Sequence, residues 1–179
     1  MTLKEKYLKE IRLALQKDLG LSGIEAVPKL LKITVNTSSR DFKTDKDFLE
    51  KTKGWLAIIT GQTPSETKAK KSIAAFNLRA GDVVGLKVTL RGIRMYDFFQ
   101  KLISIALPRL KDFQGVSRKT FDQKGSYTLG LSEQIVFPEV EYDKIGRIQG
   151  LEITFSTTAQ TPVEAEKLLS ALGMPFTKQ

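Results

Sequence analysis

Two clusters of side chains have the spacing to do chemistry. Lys68, Lys70 and Lys71, followed at once by Ser72, crowd ammonium groups beside a hydroxyl. Glu139, Glu141 and Asp143, at alternate positions after Pro138, would put carboxylates on one side of an extended chain. The first cluster suits phosphate binding, or a lowered-pKa amine for Schiff-base chemistry; adjacent ammoniums meet phosphates more often than they form imines. The second could hold magnesium through oxygen ligands and serve a magnesium-dependent RNA-processing enzyme, or it is a solvated acidic edge that meets a basic partner. Much other chemistry is closed off. The chain has no His and no Cys, which excludes Ser-His-Asp triads, thiol nucleophiles, disulfide frameworks and zinc sites built on those residues. No G-x-x-x-x-G-K-S/T, G-x-G-x-x-G or G-x-S-x-G occurs, and no cofactor or metal is expected.

The charge favours the phosphate reading. The 179 residues carry 29 Lys+Arg against 20 Asp+Glu, a formal net charge of +9. The excess is segregated: residues 66–124 hold 13 basic and 5 acidic side chains, whereas residues 125–179 hold 4 basic and 7 acidic. A surface that only kept the chain soluble would mix the signs, and separation on this scale is the footprint of a polyanion site. A lipid surface is disfavoured, because the cations fall on strands and loops rather than on one amphipathic helix, and no apolar run approaches the ~20 residues that span a bilayer. Helix-turn-helix and zinc-finger patterns of DNA readers are not visible. RNA, read by shape, 2′-hydroxyls and unstacked bases, fits a polar sheet face flanked by basic loops. A free-standing RNA chaperone or regulator stays open beside an assembled role.

The elements that must position these groups follow from periodicity. Leu3, Tyr7, Leu8, Ile11, Ala14 and Leu15 recur at helical spacing, between a Thr2–Glu5 capping box and Gly20. Leu31, Ile33 and Val35 alternate with Lys32, Thr34 and Asn36, which predicts a half-buried strand with one polar face. A second helix is expected over residues 44–60, with Trp55 in the core and Gly61 at its end. Residues 78–85 read as a mobile loop punctuated by Gly81 and Gly85, and residues 85–91 as the clearest strand, with Leu86, Val88 and Leu90 opposite Lys87, Thr89 and Arg91. A third helix over 94–107 is ended by Pro108, and residues 108–130 read as one long basic loop. A late strand carries Leu151, Ile153 and Phe155, and Thr161-Pro162-Val163-Glu164 opens a last helix that runs to Gly173. With no repeat, low-complexity tract or linker, a single domain over 1–179 is expected. Its class is α+β: a mostly antiparallel sheet with helices on one face and a polar side free for RNA.

Several ordered motifs carry a resemblance. Residues 67–76 (TKAKKSIAAF), 85–92 (GLKVTLRG), 95–99 (MYDFF), 106–109 (ALPR), 111–115 (KDFQG), 133–139 (EQIVFPE) and 150–154 (GLEIT) closely resemble the bacterial ribosomal protein L-five family of the large subunit. The match runs over essentially the whole chain. It implies a non-catalytic, cytoplasmic protein that binds 5S rRNA in the central protuberance, touches 23S rRNA, lies near the peptidyl-site tRNA, and bridges to small-subunit protein thirteen. The family's polar 5S-recognition positions carry over as Asn36, Gln62 and Thr89, with Lys68, Lys70, Lys71, Lys87 and Arg91 available to neutralise phosphates. The family's tRNA-proximal loop carries over as Asn77, Leu78, Arg79, Ala80 and Gly81. The chain differs from the usual pattern at Thr37-Ser38-Ser39, where a glycine-bearing turn is common, and at Ala75 and Asn77.

Overall fold

The computed structural model of the chain describes residues 1–141 and 145–177. The class is α+β: five strands form a sheet in the order β2-β3-β1-β5-β4. The strands are β1 Leu30–Ser38, β2 Ser65–Lys68, β3 Val83–Leu90, β4 Tyr127–Leu131 and β5 Leu151–Thr157. The α-helices that lie wholly among the described residues are α1 Leu3–Lys6, α2 Arg12–Asp18, α3 Lys46–Thr60, α4 Gly92–Lys101 and α5 Pro162–Ala171. By their contacts, the residues divide into two compact units, Met1–Ile33 with Leu90–Leu129 and Ile153–Gln179, and Thr34–Thr89 with Gly130–Glu152.

The first unit is built from amphipathic helices and rings. The Thr2 hydroxyl accepts from the Glu5 N–H at 3.3 Å while the Glu5 carboxylate accepts from the Thr2 N–H at 3.0 Å, closing the expected capping box. From there α1 continues through a π-helical turn, Tyr7–Ile11, into α2, and it is Tyr7, Ile11 and Leu15 that are buried. Leu8, expected in the apolar stripe, is exposed. The helical run that starts at α4 continues through a π-helical turn, Leu102–Ala106, and a 3-10 turn, Leu107–Arg109. Pro108 therefore does not stop the run. It sits in the first turn of the last piece, where its missing N–H is not needed. The Thr161 hydroxyl caps α5 by accepting from Glu164 N–H, and Pro162 occupies the first turn, as expected.

The long basic loop expected over 108–130 is instead partly regular. It contains a 3-10 turn, Arg118–Thr120, and the strand β4, and Val116 bridges to Phe176. Aromatic contacts order it: Phe121 lies 4.6 Å from Tyr127 and 5.8 Å from Phe176, ring centroid to centroid. The Tyr127 hydroxyl donates to the Ser117 carbonyl at 2.8 Å, and Arg118 pairs with Glu166 at 2.9 Å, so one of the loop's cations is already neutralised.

The second unit holds α3, β2 and most of β1 and β3. The Asp45 carboxylate caps α3 at Phe48 N–H, Gly61 ends it in the left-handed region at φ 65°, and Trp55 is buried as expected. In β1 the inward positions are Ile33, Val35 and Thr37; Leu31, expected on the apolar face, is exposed, and Leu30 beside it is buried, so the alternation starts only at Ile33. Strand β3 begins at Val83, two residues earlier than expected, so Val83 and Val84 are strand rather than loop. Its glycine, Gly85, serves close approach, not flexibility: a Cβ there would stand 2.8 Å from the Thr67 hydroxyl and 2.9 Å from the Thr37 carbonyl. Strand β2 pairs antiparallel with β3, Ser65 opposite Lys87 and Thr67 opposite Gly85, with a register shift between Thr67 and Lys68. Among the described residues, no helix is long and apolar enough to cross a membrane.

Candidate nucleic-acid interface

Strict alternation is what makes a face. In β1, Ile33 and Val35 are fully buried, so Thr34, Asn36 and Ser38 project from the opposite side. In β3, Leu86, Val88 and Leu90 are buried, leaving Lys87 exposed and Thr89 half-buried. Because β1 and β3 are neighbours, Asn36 and Thr89 lie on adjacent strands, and neither points into the core. Strand β2 extends the edge, with the Ser65 hydroxyl donating to the Lys87 carbonyl at 3.0 Å. Gln62 joins from the turn after α3: its side-chain amide donates to the Thr89 carbonyl at 3.4 Å, while the Thr60 hydroxyl donates to the Gln62 carbonyl at 3.0 Å. Three separated stretches of sequence thus bring Asn36, Gln62 and Thr89 onto neighbouring elements.

The cations divide into those held inside the protein and those offered to solvent. Lys53 of α3 pairs with Glu50 at 2.6 Å and with Glu66 of β2 at 2.8 Å. Its hydrogen bonds to Glu50 and then Glu66 raise the ammonium above its ordinary pKa, and the same lysine holds Glu66 below the usual carboxylate range. Lys70, Lys71, Arg79 and Lys87, by contrast, are exposed and have no ion-pair partner among the described residues. Lys68 ends β2, exposed, and its field also lowers Glu66. Arg91, the N-cap residue of α4, is exposed and belongs to the first unit.

The segment that follows the lysines is ordered by its own backbone. Ile73 and Leu78 exchange N–H to carbonyl bonds at 2.9 and 3.1 Å, with Asn77 in the left-handed region at φ 50°. The Asp82 carboxylate accepts from Arg79 N–H and the Ser72 hydroxyl accepts from Ala80 N–H, both at 2.9 Å. Gly81 N–H reaches the Ala69 carbonyl at 2.9 Å. Lys43, which sequence reasoning did not single out, donates its ammonium to the Asn77 carbonyl at 2.6 Å and to the Phe76 carbonyl at 3.5 Å. Asn77, Arg79, Ala80 and Gly81 are exposed at the tip, and Leu78 between them is half-buried.

Behind the face lies a polar lock that the sequence also hides. Gln134, fully buried, donates its amide to the Arg147 carbonyl at 2.8 Å, and its side-chain oxygen accepts from Gln149 N–H at 2.5 Å. The Thr52 hydroxyl of α3 lies 3.2 Å from the Gln149 side-chain oxygen, and the Thr37 hydroxyl of β1 donates to the Gly150 carbonyl at 2.9 Å. Arg147 stacks over Phe48, 5.2 Å from the ring centroid, and pairs with Asp41. These contacts fix the 145–152 segment against α3 and β1. A glutamine set directly before the apolar run Ile135-Val136-Phe137 is the one sequence signal that could have marked it.

The acidic alternative gains nothing from the geometry. Glu139 and Glu141 are exposed, and Asp143 lies outside the described residues. Among the described residues, no group of His, Cys, Asp or Glu side chains is arranged to hold a metal ion.

Comparison with known proteins bears on the whole chain. Residues 24–79 match the family model described as "Ribosomal protein L5", and residues 83–176 match the model for the C-terminus of the same ribosomal family. The chain is 51% identical over 176 residues to a protein of Desulforamulus reducens named large ribosomal subunit protein uL5, covering 98% of this chain and 97% of that one. The proteins of the same name from Dictyoglomus turgidum and Limosilactobacillus reuteri are 54% and 52% identical over 176 residues, covering 98% of each chain.

Proposed function

The chain belongs to the ribosomal protein L5 family, and from that membership we propose that it is a structural, non-catalytic constituent of the large ribosomal subunit that binds 5S rRNA. Its place of work is then the cytoplasmic ribosome, as one RNA-binding protein over its full length. The observation that carries this reading is the outward face of β1 and β3: hydroxyl, amide and ammonium groups side by side, bordered by Lys70, Lys71 and Arg79, which have no ion-pair partner among the described residues.

The division of labour follows from the chemistry of each group. Asn36, Gln62 and Thr89 are short polar side chains on or beside regular elements, and they fix the register of the RNA by directional hydrogen bonds. Gln62 keeps one N–H and its side-chain oxygen for that purpose beyond its bond to the Thr89 carbonyl. Lys68, Lys70, Lys71, Lys87 and Arg91 neutralise phosphates, which gives affinity without reading sequence. The loop Asn77, Leu78, Arg79, Ala80 and Gly81 is the contact for peptidyl-site tRNA; its internal hydrogen bonds mean that little ordering has to be supplied on binding. 23S rRNA and small-subunit protein thirteen complete the set of partners implied by family membership.

Titrating the purified chain with 5S rRNA across a salt series tests the reading. With about six phosphates neutralised, log K falls against log salt with a slope of about −4 to −5. A flat salt response, or equal affinity for a same-length control RNA, overturns it.

A further inference from the structure

Glu152 stands where an RNA-binding face should not have a carboxylate. In β5 it alternates with the buried Leu151 and Ile153, so it projects to the same outward side as Asn36 on the neighbouring strand β1. Among the described residues of the second unit, it is the one carboxylate on the outward positions of β1, β3 and β5, whose polar members are otherwise Thr34, Asn36, Ser38, Lys87 and Thr89. Asn36 and Glu152 line one groove of about 290 Å³, together with Ser38 and Gly150. The groove backbone is held still, since the Thr37 hydroxyl donates to the Gly150 carbonyl and the Gln134–Gln149 lock lies just before it. Neither the Asn36 amide nor the Glu152 carboxylate has a hydrogen-bond partner among the described residues.

A carboxylate beside RNA repels phosphates and can only accept hydrogen bonds, so what it meets must donate. The donor patterns of the bases then decide. Adenine and cytosine each set an amino group next to a ring-nitrogen lone pair, which a carboxylate cannot face with both oxygens. Uracil sets one N–H between two carbonyls. Guanine alone offers two donors side by side, N1–H and N2–H, with O6 adjacent as an acceptor for an amide N–H. A groove of this size can seat one base, in keeping with RNA recognition through unpaired, splayed bases. We propose that the groove between the end of β1 and the start of β5 is a guanine-reading pocket: Glu152 accepts from N1–H and N2–H of an unpaired guanine, and the Asn36 amide donates to its O6. The proposal rests on the RNA-binding reading and names the base that one part of the face selects.

The test is analogue interference with the full-length chain and 5S rRNA in which inosine, which lacks the N2 amino group, replaces guanosine sparsely. With the unaltered protein, inosine at one unpaired guanosine depletes the bound RNA about fivefold or more. With Glu152→Gln that position no longer interferes, and affinity for unmodified RNA falls about 10-fold to 100-fold. Glu152 is exposed, so the thermal midpoint of the variant stays unchanged and separates lost recognition from lost folding. Identical interference profiles for the two proteins overturn the pocket while leaving RNA binding standing. Tighter binding by Glu152→Gln overturns it too, because the carboxylate would then only be repelling RNA. Failure of the unaltered protein to prefer 5S rRNA over a control RNA removes the parent reading, and the pocket with it.

Discussion

In the first unit Phe99 meets Phe155 edge-on at 5.5 Å, Tyr127 lies 6.1 Å from Phe155, and Tyr7 lies 6.1 Å from Tyr96. In the second unit the corresponding interior is polar in places: Thr37, Thr52, Thr60, Gln134 and Gln149 are all buried there, against Thr157 alone among the described residues of the first. Rings bury large area with little demand on direction, whereas buried amides and hydroxyls require partners at fixed angles. The unit with the candidate interface, which has its own ring pair Phe42–Phe48, therefore adds more buried directional bonds to its apolar core than the other does. That contrast suits the proposed role, in which short side chains would meet RNA within tenths of an ångström.

The contrast breaks most visibly at Phe155. Phe155→Ala removes a fully buried ring from the aromatic cluster, and a loss of about 3–5 kcal/mol is expected in denaturant unfolding, with 5S rRNA affinity of the folded fraction unchanged. Gln134→Ala asks the opposite question. It leaves the Gln149 N–H and the Arg147 carbonyl without partners, so about 2–3 kcal/mol of stability is lost, and faster amide hydrogen exchange appears at Gln149. If Gln134→Ala unfolds no more easily than a surface substitution, direction does not hold this unit together. Thr89→Ala sharpens the comparison from outside: affinity for 5S rRNA weakens by about 1–2 kcal/mol while the unfolding midpoint stays put, because Thr89 is half-buried on the open face.

The smallest effect is one of pH. Burial, and then the neighbouring Tyr7, pushes the Tyr96 hydroxyl up to about 12, above its ordinary value of 10. The folded state thus keeps the proton longer than the unfolded one, so this contribution is complete below pH 10 and is lost as pH rises from 10 towards 12. Unfolding midpoints measured across that window fall less steeply for Tyr96→Phe than for the unaltered chain.

Local chemistry was legible in the sequence wherever one short stretch decides the outcome. Thr2 with Glu5 and Thr161-Pro162 before α5 are complete within a turn, and the alternation in β1 and β3 needs only their own residues. That alternation alone put Asn36 and Thr89 on an outward face without any knowledge of the sheet. What stayed hidden depends on partners far along the chain. Strand β4 follows a glycine and a serine and is held by Phe121 and Phe176, so its own pattern is weak. Gln134 reads as an ordinary polar residue until Arg147 and Gln149 come to meet it. Gly85 reads as punctuation, although the Thr37 carbonyl beside it is what requires the missing side chain.

The ammonium of Lys43, turned onto the Asn77 and Phe76 carbonyls, is occupied before any nucleic acid arrives. Releasing it would unpin the loop tip, so acetylation of this lysine would be felt as slack in the Asn77 turn. A tally of formal charges overstates the grip on an anionic partner by every cation that the protein already pairs with a carboxylate, as it does Lys53 with Glu50 and Glu66.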